Sequence, residues 1–318
     1  MTYMVRGAAV SLGVFFLTYC ALSGSVALGW NAIRARATSL RASQLFALRM
    51  LPFTAALGIV CLLTIPSFVL LEPDVHAETL GLWGATAALG GFAVILFGIA
   101  NTIPAWLRTA RLVAGCARSS PRLKIDSSTE AIEVGSEAPG LLVASVFRPK
   151  ILISRKTGEL LDAGEFQAAI RHELSHVQHH DNLKKLLLRF CAFPLMGPLD
   201  RHWIHAAEIE ADDAAASDAQ TAVDLASALV KMAREMSLVP TAYIVVALVS
   251  NQGDMLANRV ERLLNWQPRV STGTAKLSPM FIAAIMVLAA LGFHYGWVLT
   301  RTHELTELLV QSRFLGRV

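Results

Sequence analysis

The sequence predicts a mainly α-helical integral membrane protein with a more polar α+β domain inserted between two of its membrane spans. The 318 residues are 54% hydrophobic and only 16% charged, and the mean hydropathy is +0.50. Soluble domains usually carry about 25% charged residues, so this composition favours a membrane protein. Two further observations support that class: the chain contains four long apolar runs, and one domain-sized stretch of ordinary polarity separates the last two.

Each apolar run is long enough to cross a bilayer, whose hydrocarbon core needs about 20 residues of helix. None of the four runs contains Asp, Glu, Lys or Arg. The predicted organisation is a three-span region (residues 1–107), a domain (108–277), and a fourth span with a short tail (278–318). The predicted spans are Gly7–Trp30, Met50–Leu71, Gly84–Leu107 and Ser278–Thr300.

Charge in the connections predicts the orientation of these spans. Residues 31–49 contain four arginines and residues 108–124 contain five basic residues, and neither connection contains an acid, whereas residues 72–83 contain three acids and no Lys or Arg. Basic connections stay on the cytoplasmic side. We therefore expect the N-terminus outside and the domain in the cytoplasm. Arginines beside spans also explain the net charge of +4, and no nucleic-acid-binding motif occurs, so we expect the bilayer and not nucleic acid as a direct partner.

The domain begins with a strand-rich segment that leads into a helix. Val- and Ile-rich stretches broken by Gly and Pro predict strands near 129–135, 140–147 and 150–154. Asp162 followed three residues later by Glu165 is a capping-box pattern. The helix that starts there is predicted to run to about Cys191, before Pro194.

Two apolar patches in the domain are too short to span a bilayer. They cover Leu186–Leu199 and Tyr243–Val249. Each fits a helix of the domain core, or a surface that docks on the bilayer or on the spans. The sequence leaves both interpretations open.

The stretch RHELSHVQHHDN, residues 171–182, contains candidate metal ligands and the candidate catalytic residue. His172 and His176 are four residues apart, so on a helix they project from one face and can bind one zinc ion. Glu173 lies beside the first histidine, where it can take a proton from a zinc-bound water. The H-E-x-x-H pattern therefore predicts a catalytic zinc site, with one ion per chain.

A catalytic zinc needs a third protein ligand and one open position. The stretch HAAEIEADDAAA, residues 205–216, offers Glu208 as that ligand. Asp212, one turn on, is placed to accept a hydrogen bond from a ligand imidazole and so fix its tautomer. The acids of this stretch also fit a solvated helix face. His202 and His205, just upstream, are candidates for stabilising the transition state, or simply interface residues.

These motifs occur in an order that resembles the membrane-bound zinc metallopeptidases of the BlaR/MecR type, the beta-lactam-sensing antirepressor proteases. The resemblance covers essentially the whole chain, with three spans before the zinc domain and one after it. The stretches that carry it are FRPKILIS, EFQAAIRHELSHVQHHDNLKKLL, EIEADDAA, LASALVKMA and NRVERLL.

The resemblance implies a zincin-like (gluzincin) metallopeptidase domain in a bacterial-type cytoplasmic membrane, with His172, His176 and Glu208 as zinc ligands and Glu173 as the catalytic residue. It also implies a protein or peptide substrate, such as a transcriptional repressor, a role in signal transduction, and possible homo-oligomers. The signalling members carry a penicillin-binding sensor domain after the fourth span. Only about 18 residues follow here and they contain no S-x-x-K motif, so we expect the activating signal to come from elsewhere.

Two other functions fit the same pattern. Membrane quality-control proteases of the HtpX type share the zinc motif and act on membrane proteins. A non-catalytic membrane scaffold with a structural zinc would need a fourth protein ligand, for instance His180 or His205.

Overall fold

The membrane-spanning part of the chain is a bundle of apolar helices. Three helical segments are long and apolar enough to cross a bilayer: α1 (Tyr3–Ile33), α2 (Ala42–Ile59) continuing through a π-helical turn (Val60–Thr64) into α3 (Ile65–Leu71), and α4 (Leu82–Ser119). They contain the first three predicted runs. The computed structural model describes residues 3–34, 40–71, 80–119, 122–124, 130–135, 140–147, 149–236, 252–267 and 294–311.

The fourth predicted run lies mostly outside the described residues, as does the patch Tyr243–Val249. The run's last residues are described, and they begin a helix, α11 (Tyr295–Gln311), that continues well into the predicted tail. The Tyr295 hydroxyl donates a hydrogen bond to the carbonyl of Leu62, 2.7 Å away. The start of α11 therefore packs on the π-helical turn of the second span.

Close helix contacts hold α1 against α4. Gly91 of α4 faces the backbone of α1, and any side chain there would overlap the Leu12 carbonyl. A glycine is needed at this position because the two backbones approach so closely. α4 continues without a break past the predicted domain boundary at residue 107, so the third span and the start of the predicted domain share one helix.

The domain contains a four-stranded sheet in the order β1-β2-β4-β3. β2 and β4 are parallel, and the two outer pairs are antiparallel. β2, β3 and β4 match the three predicted strands, whereas β1 was not predicted. The strands are β1 (Arg122–Lys124), β2 (Glu130–Val134), β3 (Leu141–Ala144) and β4 (Lys150–Ser154).

Helices cover the sheet and build two cores. Apolar residues of β2, β3 and β4 pack on α6 and α9, and a second, alanine-rich core joins α6, α8, α9 and α10. The small alanines let these helices lie close together. The helices are α5 (Arg155–Leu160), α6 (Ala163–Gln178), α7 (Asp181–Phe190), α8 (Gly197–Ala215), α9 (Ala219–Met236) and α10 (Gln252–Leu264), with a short 3₁₀ turn (Pro194–Met196) before α8.

The capping box predicted at the start of α6 is present. The Glu165 amide donates to Asp162 Oδ1 at 2.9 Å, and the Asp162 amide donates to Glu165 Oε2 at 3.0 Å. The prediction that one helix continues to Cys191 was wrong. His180 has φ 54°, in the left-handed region, so the chain turns there and α7 begins as a separate helix.

The patch Leu186–Leu199 packs against the spans. Leu188, Met196 and Leu199 are buried in one cluster with Trp30 of α1 and Leu45 of α2. The amide of Ala42, at the start of α2, donates to Glu210 Oε1 of α8 at 2.9 Å, which satisfies a helix-terminal N–H. The C-terminal end of α1 and the N-terminal end of α2 therefore form one continuous core with the domain.

The side chain of Glu165 joins α6 to α9, and its loss should therefore lower the stability of the domain. Besides its capping bond, it accepts hydrogen bonds from Ser227 at 2.5 Å and Lys231 at 2.6 Å. We expect Glu165→Ala to lower the free energy of unfolding of the full chain in detergent by about 2–3 kcal/mol at pH 7, because charge-assisted bonds are lost. Glu159→Ala, at an exposed position of α5, is the matched control and should change it little.

The same carboxylate predicts a pH dependence. Burial opposes ionisation, but Lys231 and Ser227 outweigh it and hold the pKa of Glu165 below its ordinary value of 4.5. Its contribution is therefore complete above pH 4.5 and is lost as the pH falls through the lower folded-state pKa. Denaturant titrations should show the gap between wild type and Glu165→Ala shrinking below pH 4.5. A gap that is constant down to pH 2 would contradict this account.

Candidate metal centre

Two crossing helices bring the three predicted ligands together. α6 presents His172 and His176 from one face, and their Nε2 atoms are 3.2 Å apart. α8 brings Glu208 across from them, with Oε2 3.5 Å from His172 Nε2 and Oε1 3.6 Å from His176 Nε2. These donor atoms form the one group of metal-ligating side chains found among the described residues.

The spacing of the donors fits a zinc ion. At bond lengths of about 2.0–2.2 Å and tetrahedral angles, two ligand atoms on one zinc lie about 3.3–3.6 Å apart. The 3.2 Å between the two histidine Nε2 atoms is close to that range. A different oxygen of Glu208 faces each histidine, Oε2 at 3.5 Å from His172 Nε2 and Oε1 at 3.6 Å from His176 Nε2. The three protein donors leave the fourth tetrahedral corner for a water or substrate oxygen.

A carboxylate lies behind each histidine. Nδ1 of His172 lies 3.0 Å from Asp212 Oδ1, the carboxylate predicted to accept from it, although the angle of that contact is not that of a hydrogen bond. Nδ1 of His176 is hydrogen-bonded to Asp181 Oδ2 at 2.7 Å. A carboxylate accepts from the Nδ1–H tautomer, which leaves the lone pair on Nε2 for a metal. Both imidazoles are therefore oriented with Nε2 toward the shared point.

Two cations partly balance the acids. Arg259 of α10 donates to both oxygens of Asp212 at 2.7 and 2.8 Å and lies 2.8 Å from Glu208 Oε2. Lys184 lies 3.1 Å from the second oxygen of Asp181. With Glu173 beside the pair, four carboxylates face two cations, so the site has an excess of two negative charges when both imidazoles are neutral. A divalent cation would neutralise that excess.

The protonation of the site shows the same demand for a cation. Although burial favours neutral groups, His172 and Arg259 hold the pKa of Glu208 well below its ordinary value. Burial also opposes a charge on His172, but Asp212 and Glu208 outweigh it and raise the pKa of His172 to about 9. The charges of neighbouring side chains, and not burial, therefore decide both pKa values.

Glu173 faces the edge of the sheet. Its Oε2 accepts a hydrogen bond from the amide of Val143 in β3 at 2.9 Å. The side-chain amide of Asn182, at the start of α7, donates to the carbonyls of Val143 and Ser145 at 3.1 Å each. β3 is an edge strand, so the outward-facing polar groups at Val143 are tied to α6 by Glu173 and to α7 by Asn182.

The two histidines considered for stabilising the transition state, His202 and His205, lie in different surroundings. His202 turns toward α1, where its ring lies edge-on to Trp30 with centroids 5.0 Å apart, and its Nδ1 contacts the Pro198 carbonyl of its own helix. The structure does not bring it to the ligands. His205 lies one turn before Glu208, and its Nδ1 is buried without a hydrogen-bond partner among the described residues.

The acids of α8 are not a solvated face. Glu208 and Asp212 contact the histidines, Glu210 accepts from Ala42, and Asp213 pairs with Arg262. His180, considered as a fourth ligand, is exposed and its Nδ1 contacts the Gln178 carbonyl, 3.0 Å away. Each predicted acid therefore has a protein partner, and His180 points elsewhere.

Sequence reasoning missed three residues of the site. Asp181 and Asn182 are the last two residues of the stretch RHELSHVQHHDN, and their position directly after the final histidine was the available signal. The sequence predicts one continuous helix through both residues, and in such a helix neither side chain would face back toward His176 or β3. Arg259 lies in NRVERLL, where nothing local marks it out.

The site therefore has to be interpreted from its own chemistry. A comparison with known protein families and with curated proteins finds no match to this chain. The histidine pair, the opposing glutamate and their buried partners are the evidence for function.

Asp181 provides a test of the metal centre that does not depend on activity. We expect Asp181→Ala to weaken zinc affinity about 10–100-fold, because His176 loses the acceptor that fixes its tautomer. Competition with a chelating dye measures this on the full chain. Asp224→Asn on α9, whose carboxylate accepts from Gln220 of the same helix, is the control. Equal zinc affinity in wild type and Asp181→Ala would contradict the assigned role.

Proposed function

We propose that the chain is an integral-membrane zinc endopeptidase with its active site on the cytoplasmic side. The observation that supports this most is the convergence of His172, His176 and Glu208, with Glu173 on the same helix but outside that group of three. A structural zinc is usually closed by four protein ligands, whereas a catalytic zinc keeps one position open. The donor set among the described residues therefore favours catalysis over a scaffold.

Glu173 acts as the general base in this proposal. A zinc ion held by the three ligands would bring the pKa of a water toward about 7 and polarise the scissile carbonyl. Glu173 Oε2 is engaged by Val143, and Oε1 is left to take the proton from the water. The same carboxyl then returns that proton to the leaving amine.

The residues around the ligands hold and complement the charges. Asp212 and Asp181 orient the imidazoles, and Arg259 fixes Glu208 and Asp212 together. Burial, followed by Arg259, lowers the pKa of His205, so this histidine is neutral near pH 7. Its imidazole N–H is our candidate donor to the developing oxyanion.

β3 is the candidate docking edge for an extended substrate. A peptide added to this edge would pair with main-chain groups of β3. At Val143 it would exchange places with the side chains of Glu173 and Asn182. Substrate binding would thereby release the base at the moment it is needed.

The cytoplasmic placement rests on the basic connections between spans. Residues 31–49 carry four arginines, and they join the ends of α1 and α2 that pack on the domain. The substrate is then a cytosolic regulator of the repressor type or the cytoplasmic part of a membrane protein, as for quality-control proteases of the HtpX type. Either class of substrate could approach the site, because the domain that contains it packs on the ends of α1 and α2.

Replacing the base tests the proposal. We expect Glu173→Gln in the full chain to keep one zinc per chain and to cut peptide hydrolysis by about 10²–10⁴-fold, because no carboxylate remains to accept the proton. New N-termini in cytosolic and membrane fractions incubated with each protein report cleavage, and metal analysis reports zinc. Glu159→Gln, at an exposed position of α5, should cleave like the wild type. Full zinc content with undiminished cleavage in Glu173→Gln would rule out the assigned base.

A further inference from the structure

A buried arginine joins the spans to the domain. Arg49 lies in the second span, and its side chain is 1% exposed. Its Nε donates to Asp200 Oδ1 at 2.7 Å, and its Nη2 donates to the Cys191 carbonyl at 2.9 Å. One guanidinium therefore holds the C-terminal end of α7 and the N-terminal turn of α8.

The end of α7 is fixed by a second span residue. Tyr19 of α1 donates its hydroxyl to the same Cys191 carbonyl at 2.8 Å. Cys191 is the C-cap residue of α7, and its carbonyl, which has no partner within the helix, is satisfied by Tyr19 and Arg49. Phe190 packs edge-on to Phe53, and Gly98 of α4 lies against the Phe190 carbonyl so closely that a Cβ there would sit 2.6 Å from it.

The other end of α7 lies at the metal centre. Asp181 contacts His176, and Asn182 holds the edge strand β3. α7 has ten residues, so its two ends are about 15 Å apart. Such a short helix moves as a rigid rod, and a displacement of its C-terminal end reaches Asp181 and Asn182.

α8 provides a second connection between Arg49 and the metal centre. Asp200, held by Arg49, lies in its first turn, and Glu208 follows two turns later, about 12 Å along the axis. Glu208 is itself one of the three ligands. Arg49 is thus connected to the centre through one helix that supplies a ligand and another that orients one.

We propose that Arg49 is a positioning residue for the zinc site and that α7 and α8 transmit the arrangement of the spans to the ligands. This inference rests on the metal centre of the proposed function. Ligand geometry must be held to within about 0.5 Å for function, so small shifts of α1 or α2 at Tyr19 and Arg49 change zinc affinity and reactivity. The arrangement gives the spans control over a site that none of them lines directly.

The first test compares two buried arginines. Arg49→Lys keeps the charge beside Asp200 but loses the fork that also reaches Cys191. We expect zinc affinity to fall about three- to tenfold, less than for loss of the orienting carboxylate itself, with a changed visible spectrum of the cobalt-substituted protein. Arg6→Lys is the control, because Arg6 is also buried but lies near the start of α1, over the Phe68 ring. It should leave the zinc affinity and the cobalt spectrum unchanged.

The second test uses a milder change and asks through which residue it acts. Tyr19→Phe removes only the hydroxyl that binds Cys191, and we expect about a threefold loss of zinc affinity, below the range for direct carboxylate loss. In an Asp181→Ala background this loss should disappear, because α7 then has no contact with His176 to transmit. Tyr3→Phe, which removes a hydroxyl bonded to Phe68, is the control.

The outcomes separate coupling from stability. The proposal would be overturned if Arg49→Lys or Tyr19→Phe lowered thermal stability but left the zinc affinity and the cobalt spectrum unchanged. It would also be overturned if Tyr19→Phe weakened zinc binding as much in the Asp181→Ala background as in the wild type. If Arg49→Lys fails to fold, Tyr19→Phe decides. If the wild-type chain binds no zinc, the proposed function itself is refuted. If it binds zinc equally well with and without the Arg49 and Tyr19 substitutions, only the coupling between the spans and the zinc site is overturned.

Discussion

The buried negative charge between α6 and α8 is the constraint on which the rest of the domain depends. Glu208, Asp212 and Asp181 converge on two imidazoles in a region where Asp212 is fully buried. Removing carboxylates from water costs several kcal/mol each unless cations replace the solvent. Arg259 and Lys184 supply part of that compensation, and the remaining negative charge is the electrostatic argument for the metal ion that we propose at the shared point.

The fold serves this convergence in two ways. Alanines at the crossing, such as Ala168 of α6 and Ala215 of α8, let the ligand-bearing helices approach closely enough for their side chains to meet. α7 and α8 are anchored at their other ends by Arg49, so the same helices that build the centre also fasten it to the spans. The site and the membrane bundle are therefore parts of one packed structure.

Much of the site was predictable because its information is local. The helical spacing of His172 and His176 and the capping box at Asp162 depend only on neighbouring residues, and the first three spans follow from length and hydropathy. Glu208 was found because a catalytic zinc requires a third ligand and the next acidic helix supplied one. The histidine spacing, the capping box and the spans therefore follow from neighbouring residues, whereas Glu208 was inferred from the chemistry of zinc.

The parts that were missed depend on tertiary contacts. The turn at His180 places a non-glycine residue in the left-handed region, which histidine adopts more often than most residues but still rarely. That turn sets Asp181 beside His176. Arg259 reaches Asp212 from a helix far along the chain. The apolar patch Leu186–Leu199 had the composition of either a core or a docking surface, and only packing against Trp30 and Leu45 decides between them.

X-ray absorption at the zinc edge of the zinc-loaded full chain tests the central claim most directly. We predict a four-coordinate ion with two imidazoles and two oxygen ligands at about 2.0–2.2 Å, one oxygen from Glu208 and one exchangeable solvent oxygen. A third imidazole or a thiolate in the coordination sphere would contradict the account, because four protein ligands leave no position for a reacting water.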